Sequence, residues 1–112
     1  MDIQVVNRGV VSVIRCQGSL DAQTVGQFKK SVTPIMAGDA ARLILDGTAL
    51  TFIDSMGLGV LISMMRRLRE RKGELKMAAL TPDVQSIFEI TRLNRLFDIC
   101  PTVDVAAQRF AS

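Results

Sequence analysis

Histidine is absent from this chain of 112 residues, and cysteine occurs only at Cys16 and Cys100. Because histidine is the commonest general base and metal ligand near neutral pH, its absence weighs against a metal centre and against ordinary acid–base catalysis. The two cysteines lie far apart without metal-site spacing, so we expect reduced, buried thiols. No apolar run approaches the roughly 20 residues that a membrane span needs. We therefore predict no enzyme activity, no metal, no cofactor and no membrane span.

The overall composition is that of one small globular domain. Hydrophobic residues make up 48% of the chain and charged residues 22%, which argues against disorder. The length allows one hydrophobic core and is too short for two. Met1 to Gln4 begin directly with a strand pattern and lack a basic region, so no secretion signal is predicted. We expect a single domain spanning residues 1–112, located in the cytoplasm.

Alternating strand and helix patterns predict an α/β fold. Strands are predicted at residues 3–6, 10–16, 42–46, 75–80 and 96–100, and helices from Asp21, from Ser55 to about Arg71, from Thr81 and from Pro101. The first two strands flank Asn7-Arg8-Gly9, which is typical of a hairpin. Pro34 is expected to end or bend the first helix. Helices between strands imply right-handed crossovers, hence a mixed, mostly parallel five-stranded sheet packed with about four helices.

Ser55 stands at the predicted start of a helix, between Asp54 and an apolar run that contains Gly57 and Gly59. Serine is a common helix N-cap, and a cap with no other role is the plainest interpretation. The positive end of the helix dipole also favours negative charge there, which suits a modification site. A serine nucleophile needs an adjacent base, and the sequence places none beside Ser55.

The predicted second helix is apolar on more than one side. One buried face accounts for an apolar stripe made of Leu58, Leu61, Ile62, Met65 and Leu68. Three further apolar residues are then left over: Met56, Val60 and Met64. Either the first turns are buried on most sides, or part of this surface binds another protein.

The stretch Asp54-Ser55-Met56-Gly57-Leu58-Gly59, preceded by Leu45-Asp46 and Phe52, resembles the motif of the anti-sigma factor antagonists, which are free-standing STAS domains. The resemblance covers nearly the whole chain and includes Gly18-Ser19-Leu20-Asp21, Lys76-Met77-Ala78-Ala79, the segment 84–92 and Leu96-Phe97. It implies a STAS-type single domain. Met56 departs from many relatives, which carry Ser or Thr there, so Ser55 is the only hydroxyl in the motif.

The resemblance also implies a regulatory function. In that family the serine matching Ser55 is phosphorylated by the anti-sigma factor, itself a serine kinase, and a metal-dependent serine phosphatase reverses the step. The unphosphorylated form is then expected to bind the anti-sigma factor and release a sigma factor. The residues expected to form this partner-binding surface are Ser19, Leu20, Asp21, Asp54, Ser55, Met56, Gly57, Leu58 and Gly59. The chain is expected to be a monomer or a weak dimer.

Other functions stay open on the sequence alone. A STAS-like domain can instead be a scaffold or an accessory subunit of a transport or lipid-trafficking complex. A nucleotide site is disfavoured, because Gly57-Leu58-Gly59 lacks a third glycine and a following Lys-Ser/Thr. The basic run Arg66 to Lys72 suits a solvated helix end better than nucleic acid or lipid headgroups. We expect neither nucleic acid nor membrane as a partner, and we expect Asp46 to order the loop that follows its strand.

Overall fold

The computed structural model describes residues 1–111 and shows strands and helices in alternation after an N-terminal hairpin. In chain order the elements are β1 (Asp2–Arg8), β2 (Val11–Leu20), α1 (Val25–Met36), β3 (Arg42–Asp46), β4 (Leu50–Ile53), α2 (Ser55–Glu70), β5 (Glu74–Ala78), α3 (Pro82–Ile90), a 3₁₀ helix (Leu93–Arg95), β6 (Asp98–Cys100) and α4 (Val103–Ala111). Within this part of the chain, no helix is both long and apolar enough to cross a membrane.

The strands form one mostly parallel sheet in the order β1-β2-β3-β5-β6, and β4 pairs with β2. Only β1 and β2 are antiparallel among the described pairs. The α/β class, the hairpin and the four helices are confirmed. The predicted count of five strands is wrong, because the described sheet has six. The missed strand, β4, is four residues long and its two middle residues are both exposed, so it lacks the alternation that identifies a strand.

Two local predictions about α1 need correction. Residues 21–24 form a turn, so the helix begins at Val25 and not at Asp21. Of the two effects expected of Pro34, an end to the helix is wrong, because the helix continues to Met36. Proline removes one backbone N–H donor from the helix. Because only two helical residues follow Pro34, a local distortion there affects few backbone hydrogen bonds.

The core lies on both sides of the sheet and fixes α2 in place. The larger cluster joins the sheet to α1, α2 and α3, and its fully buried members include Ile14, Phe28, Leu45, Leu61 and Phe88. On the opposite side, α4 covers a smaller cluster built on Val13 and Ile44. Because α2 packs against α1, β4 and β5, its first turn is held at the end of β4, where the candidate site lies.

Candidate functional site

Ser55 is the first residue of α2, and Asp54 is the residue that caps the helix. The Asp54 backbone is extended, and its Oδ1 accepts a hydrogen bond from the Gly57 N–H at 2.9 Å. The Ser55 hydroxyl is therefore not needed as a cap. Ser55 is exposed, and its hydroxyl makes no hydrogen bond with any residue from 1 to 111. An incoming enzyme can reach this oxygen without breaking a contact within the domain.

Asp54 also joins the start of α2 to the turn between β2 and α1. Its Oδ2 accepts from the Ala22 N–H at 3.1 Å, and its own N–H donates to the Leu20 carbonyl at 3.2 Å. The hydrogen bond from the Gly57 N–H, helped by that from Ala22, lowers the pKa of the Asp54 carboxyl below its usual value. With both oxygens engaged, Asp54 positions the site as a carboxylate.

The turn at residues 21–24 is closed by side-chain hydrogen bonds. The Thr24 hydroxyl donates to the Ser19 carbonyl at 2.8 Å and accepts from the Asp21 N–H at 2.9 Å. Asp21 Oδ1 accepts from the Gln23 N–H at 3.0 Å. Together with the bonds that Asp54 makes to Ala22 and Leu20, they hold Ser19 and Asp21 at the same edge as Asp54. Thr24 was not predicted as part of the site, although a threonine three residues after an aspartate is a recognisable turn signal.

Two of the predicted partner-binding residues are buried, and the structure corrects their role. Leu20 has no exposed surface. Gly57 is buried so closely that a Cβ there would lie 2.4 Å from the Leu20 carbonyl oxygen and 2.7 Å from Ile53 Cγ1. Neither residue offers a side chain to a partner. They instead allow the first turn of α2 to lie against the end of β2.

Exposed apolar surface flanks Ser55. Met56 is 53% exposed and Phe52 of β4 is 50% exposed. Leu58 is half-buried, whereas Val60 and Met64, the other leftover residues, are buried. The helix thus buries one face against the rest of the domain, and its exposed apolar surface lies near its start. Phe52 was not among the predicted contact residues, because its exposure depends on the missed strand β4.

On its other side Ser55 borders a groove between α1 and α2. The groove has a volume of about 220 Å³ and is lined by Lys29 of α1 and by Met56, Gly59, Val60 and Ser63 of α2. The Lys29 side chain makes no hydrogen bond or ion pair with Ser55 or with any other described residue, so the two do not form a nucleophile–base pair. Nothing in the sequence relates residue 29 to residue 55, since their proximity depends on how the helices pack.

The remaining candidate groups are structural. Asp46 is buried, and its Oδ1 accepts from the Thr48 N–H at 3.0 Å and from the Thr48 hydroxyl at 2.7 Å, so it orders the loop after β3 as expected. In the basic run, Arg69 pairs with Glu74 at 3.1 Å. Residues 1–111 contain no group of His, Cys, Asp and Glu side chains arranged to hold a metal ion.

The STAS domain family model matches residues 2–106. The chain belongs to the STAS domain family. It is 32% identical over 82 residues to the anti-sigma-B factor antagonist of Listeria monocytogenes, covering 73% of this chain and 72% of that protein. Its structure superposes on the anti-sigma factor antagonist SpoIIAA in its unphosphorylated form with a TM-score of 0.82 at 27% identity, over 98% of this chain and 96% of that one. The Bacillus cell fate determinant SpoIIAA in its phosphorylated form gives a TM-score of 0.75 at 24% identity, over 97% of this chain and 99% of that one. At this identity the similarity is evidence for the fold only.

Proposed function

We propose that this STAS domain is an anti-sigma factor antagonist, switched by phosphorylation of Ser55. Unphosphorylated, it binds an anti-sigma factor in the cytoplasm and thereby releases a sigma factor for transcription. The observation that carries the proposal is the Ser55 hydroxyl, exposed and without a hydrogen-bond partner among residues 1–111, at a helix start bordered by exposed apolar side chains. The kinship with anti-sigma factor antagonists supports the same function.

The chain acts in this scheme as a substrate and not as the catalyst. The anti-sigma factor, as a serine kinase, transfers the γ-phosphoryl group of a nucleoside triphosphate to Ser55. The bond from Oγ to phosphorus forms, the bond from phosphorus to the diphosphate breaks, and the hydroxyl proton passes to a base of the kinase. A metal-dependent serine phosphatase hydrolyses the phosphoserine and restores the hydroxyl.

The energetics place the effect of the phosphate on binding and not on folding. The group adds about −1.5 to −2 charges at neutral pH. At the first turn of α2 that charge gains about 0.3–1 kcal/mol from the helix dipole. Burying the same charge in a partly apolar interface costs several kcal/mol unless the partner supplies a matching cation. We therefore expect the complex to weaken about a hundredfold or more, at 1.4 kcal/mol per factor of ten, while the domain stays folded.

The test is the affinity for the cognate anti-sigma factor, measured by calorimetry for wild type, Ser55→Ala, Ser55→Asp and the phosphorylated chain. Ser86→Asp is the matched control, because Ser86 is an exposed serine on α3 and outside the predicted surface. We expect Ser55→Ala and Ser86→Asp to bind like wild type, and Ser55→Asp and the phosphorylated chain to bind much more weakly. Equal affinity for all five proteins would contradict the proposal and would favour a permanent scaffold subunit.

A further inference from the structure

The groove beside Ser55 carries one charged side chain. Of the residues that line it, Lys29 alone belongs to a charged type, and it projects from α1 while Ser55 lies on α2. The groove continues along the two helices into a second cavity that shares Lys29, Val60 and Ser63 and is also lined by Arg67. Arg67 follows Ser55 by twelve residues, about 18 Å along the helix axis, which is beyond the screening length of physiological salt. Lys29 is therefore the cation that a charge on Ser55 meets across the groove.

The Lys29 ammonium group forms no ion pair with a carboxylate of the described residues. Arg69, Arg71 and Lys76 each pair with a carboxylate. Lys29 is exposed, and its ammonium group makes no ion pair or hydrogen bond with the described residues. The nearest acidic residue along the chain from Ser55 is Asp54, whose two oxygens already accept from the Gly57 and Ala22 N–H groups. An anion on Ser55 would not compete with an existing salt bridge of Lys29.

Gly59 keeps the space between the two residues open. Glycine in a helix interior makes the helix less stable than alanine at the same position does. Packing gives no reason for it here, because a Cβ at Gly59 would have no heavy atom within 4 Å. Gly57, on the same helix, is required by close contacts with Leu20 and Ile53. Gly59 lies one turn after Ser55 and lines the same groove, so the missing side chain leaves room for a group attached to Ser55.

We propose that the groove between α1 and α2 is an internal phosphate subsite, in which Lys29 binds the phosphate carried by phosphorylated Ser55. This inference rests on the proposed phosphorylation of Ser55. Lys29 acts as a positioning residue, because it holds the phosphate on the surface of its own domain and takes no part in phosphoryl transfer. The pairing holds the phosphate against its own domain, so a cation of a docking partner would have to displace Lys29 to reach it.

The decisive measurement is the second ionisation of the phosphate, followed by ³¹P NMR from pH 4 to pH 8 on chains that carry phosphoserine at position 55. A phosphoserine titrates near pH 6, and a neighbouring cation favours the dianion and lowers that value. From the strength of exposed ion pairs, we expect Lys29→Gln to raise the phosphate pKa by about 0.2–0.7 units. Lys29→Arg keeps the cation and should restore most of the wild-type value.

Lys30→Gln is the matched control. It removes the same charge from the adjacent exposed position of α1, which does not line the groove. We expect a shift well below that of Lys29→Gln, and the urea midpoints of the unphosphorylated variants should equal that of wild type. Equal shifts for Lys29→Gln and Lys30→Gln, or no shift for either, would overturn the proposal. Because no anti-sigma factor is present, this result is independent of whether phosphorylation weakens partner binding.

Discussion

Replacing Gly57 with alanine should destabilise the domain, although alanine is the better helix former. The added Cβ would lie 2.4 Å from the Leu20 carbonyl oxygen, and 2.7 Å from Ile53 Cγ1. The carbonyl belongs to the backbone of β2, so it cannot rotate away as a side chain can. The first turn of α2 would have to retreat by about half an ångström or more. That movement lengthens the bond from the Gly57 N–H to Asp54 Oδ1 and the bond from the Asp54 N–H to the Leu20 carbonyl.

The magnitude follows from two opposing effects. Overfilling a packed site costs about 1–3 kcal/mol, and a rigid backbone neighbour places this case near the upper limit. Helix propensity returns about 1 kcal/mol. We expect Gly57→Ala to lower the free energy of unfolding by about 2 kcal/mol, or the melting temperature by about 8 °C for a domain of this size.

Gly59→Ala is the matched control, because the same methyl group enters the same helix two residues later, where no heavy atom lies within 4 Å. It should stabilise the domain by about 0.5–1 kcal/mol. Urea unfolding followed by circular dichroism measures both variants. If Gly57→Ala proves as stable as Gly59→Ala, the contact between β2 and α2 is not rigid and the structural role assigned to Gly57 is wrong.

Two further predictions concern ionisation. The folded pKa of Asp54 is lowered by its bonds from the Gly57 and Ala22 N–H groups, so its charge stabilises the fold above the unfolded pKa, and that contribution disappears as pH falls through the lower folded pKa. Asp54→Asn should therefore be less stable than wild type at pH 6, and the difference should shrink towards pH 2. Urea midpoints of both proteins across that range measure it, and a difference that stays the same from pH 6 to pH 2 would contradict this. Burial, with a smaller effect from Asp46, raises the pKa of the Cys16 thiol to about 12. The thiol should therefore resist alkylation at pH 8 in the folded protein and react rapidly in urea. Mass spectrometry locates the label, and rapid labelling of Cys16 in the native chain would refute this.

Sequence patterns predicted the elements that have a strong period and missed those that depend on packing. The uninterrupted apolar run of β3 and the spacing of Val25, Phe28 and Val32 in α1 identify their elements directly. The strand β4 escaped because the burial of Leu50 and Ile53 comes from pairing with β2, which no local pattern records.

The same limit applies to the site. Ser55 and its neighbours were predicted from the motif, and Asp54 could have been recognised as the cap, since aspartate caps helices as well as serine does. The burial of Leu20 and the close contact at Gly57 follow from how α2 meets β2. The position of Lys29 follows from how α1 packs on α2. Both are tertiary facts with no sequence signal of their own.

The assignment of the cap to Asp54 explains how a charge can be added beside it without unfolding the domain. If Ser55 capped α2, its oxygen would be tied to the N–H groups of the first turn, and esterification would disturb the bonds that start the helix. Because Asp54 accepts from Gly57 and joins the turn at Ala22, those bonds do not involve the Ser55 hydroxyl. Stability then depends on Asp54 and Gly57, whereas the surface presented to a partner depends on Ser55 and Met56. A charged substitution at Ser55, such as Ser55→Asp, should therefore change affinity with little change in unfolding free energy, and a substitution at Gly57 should change both.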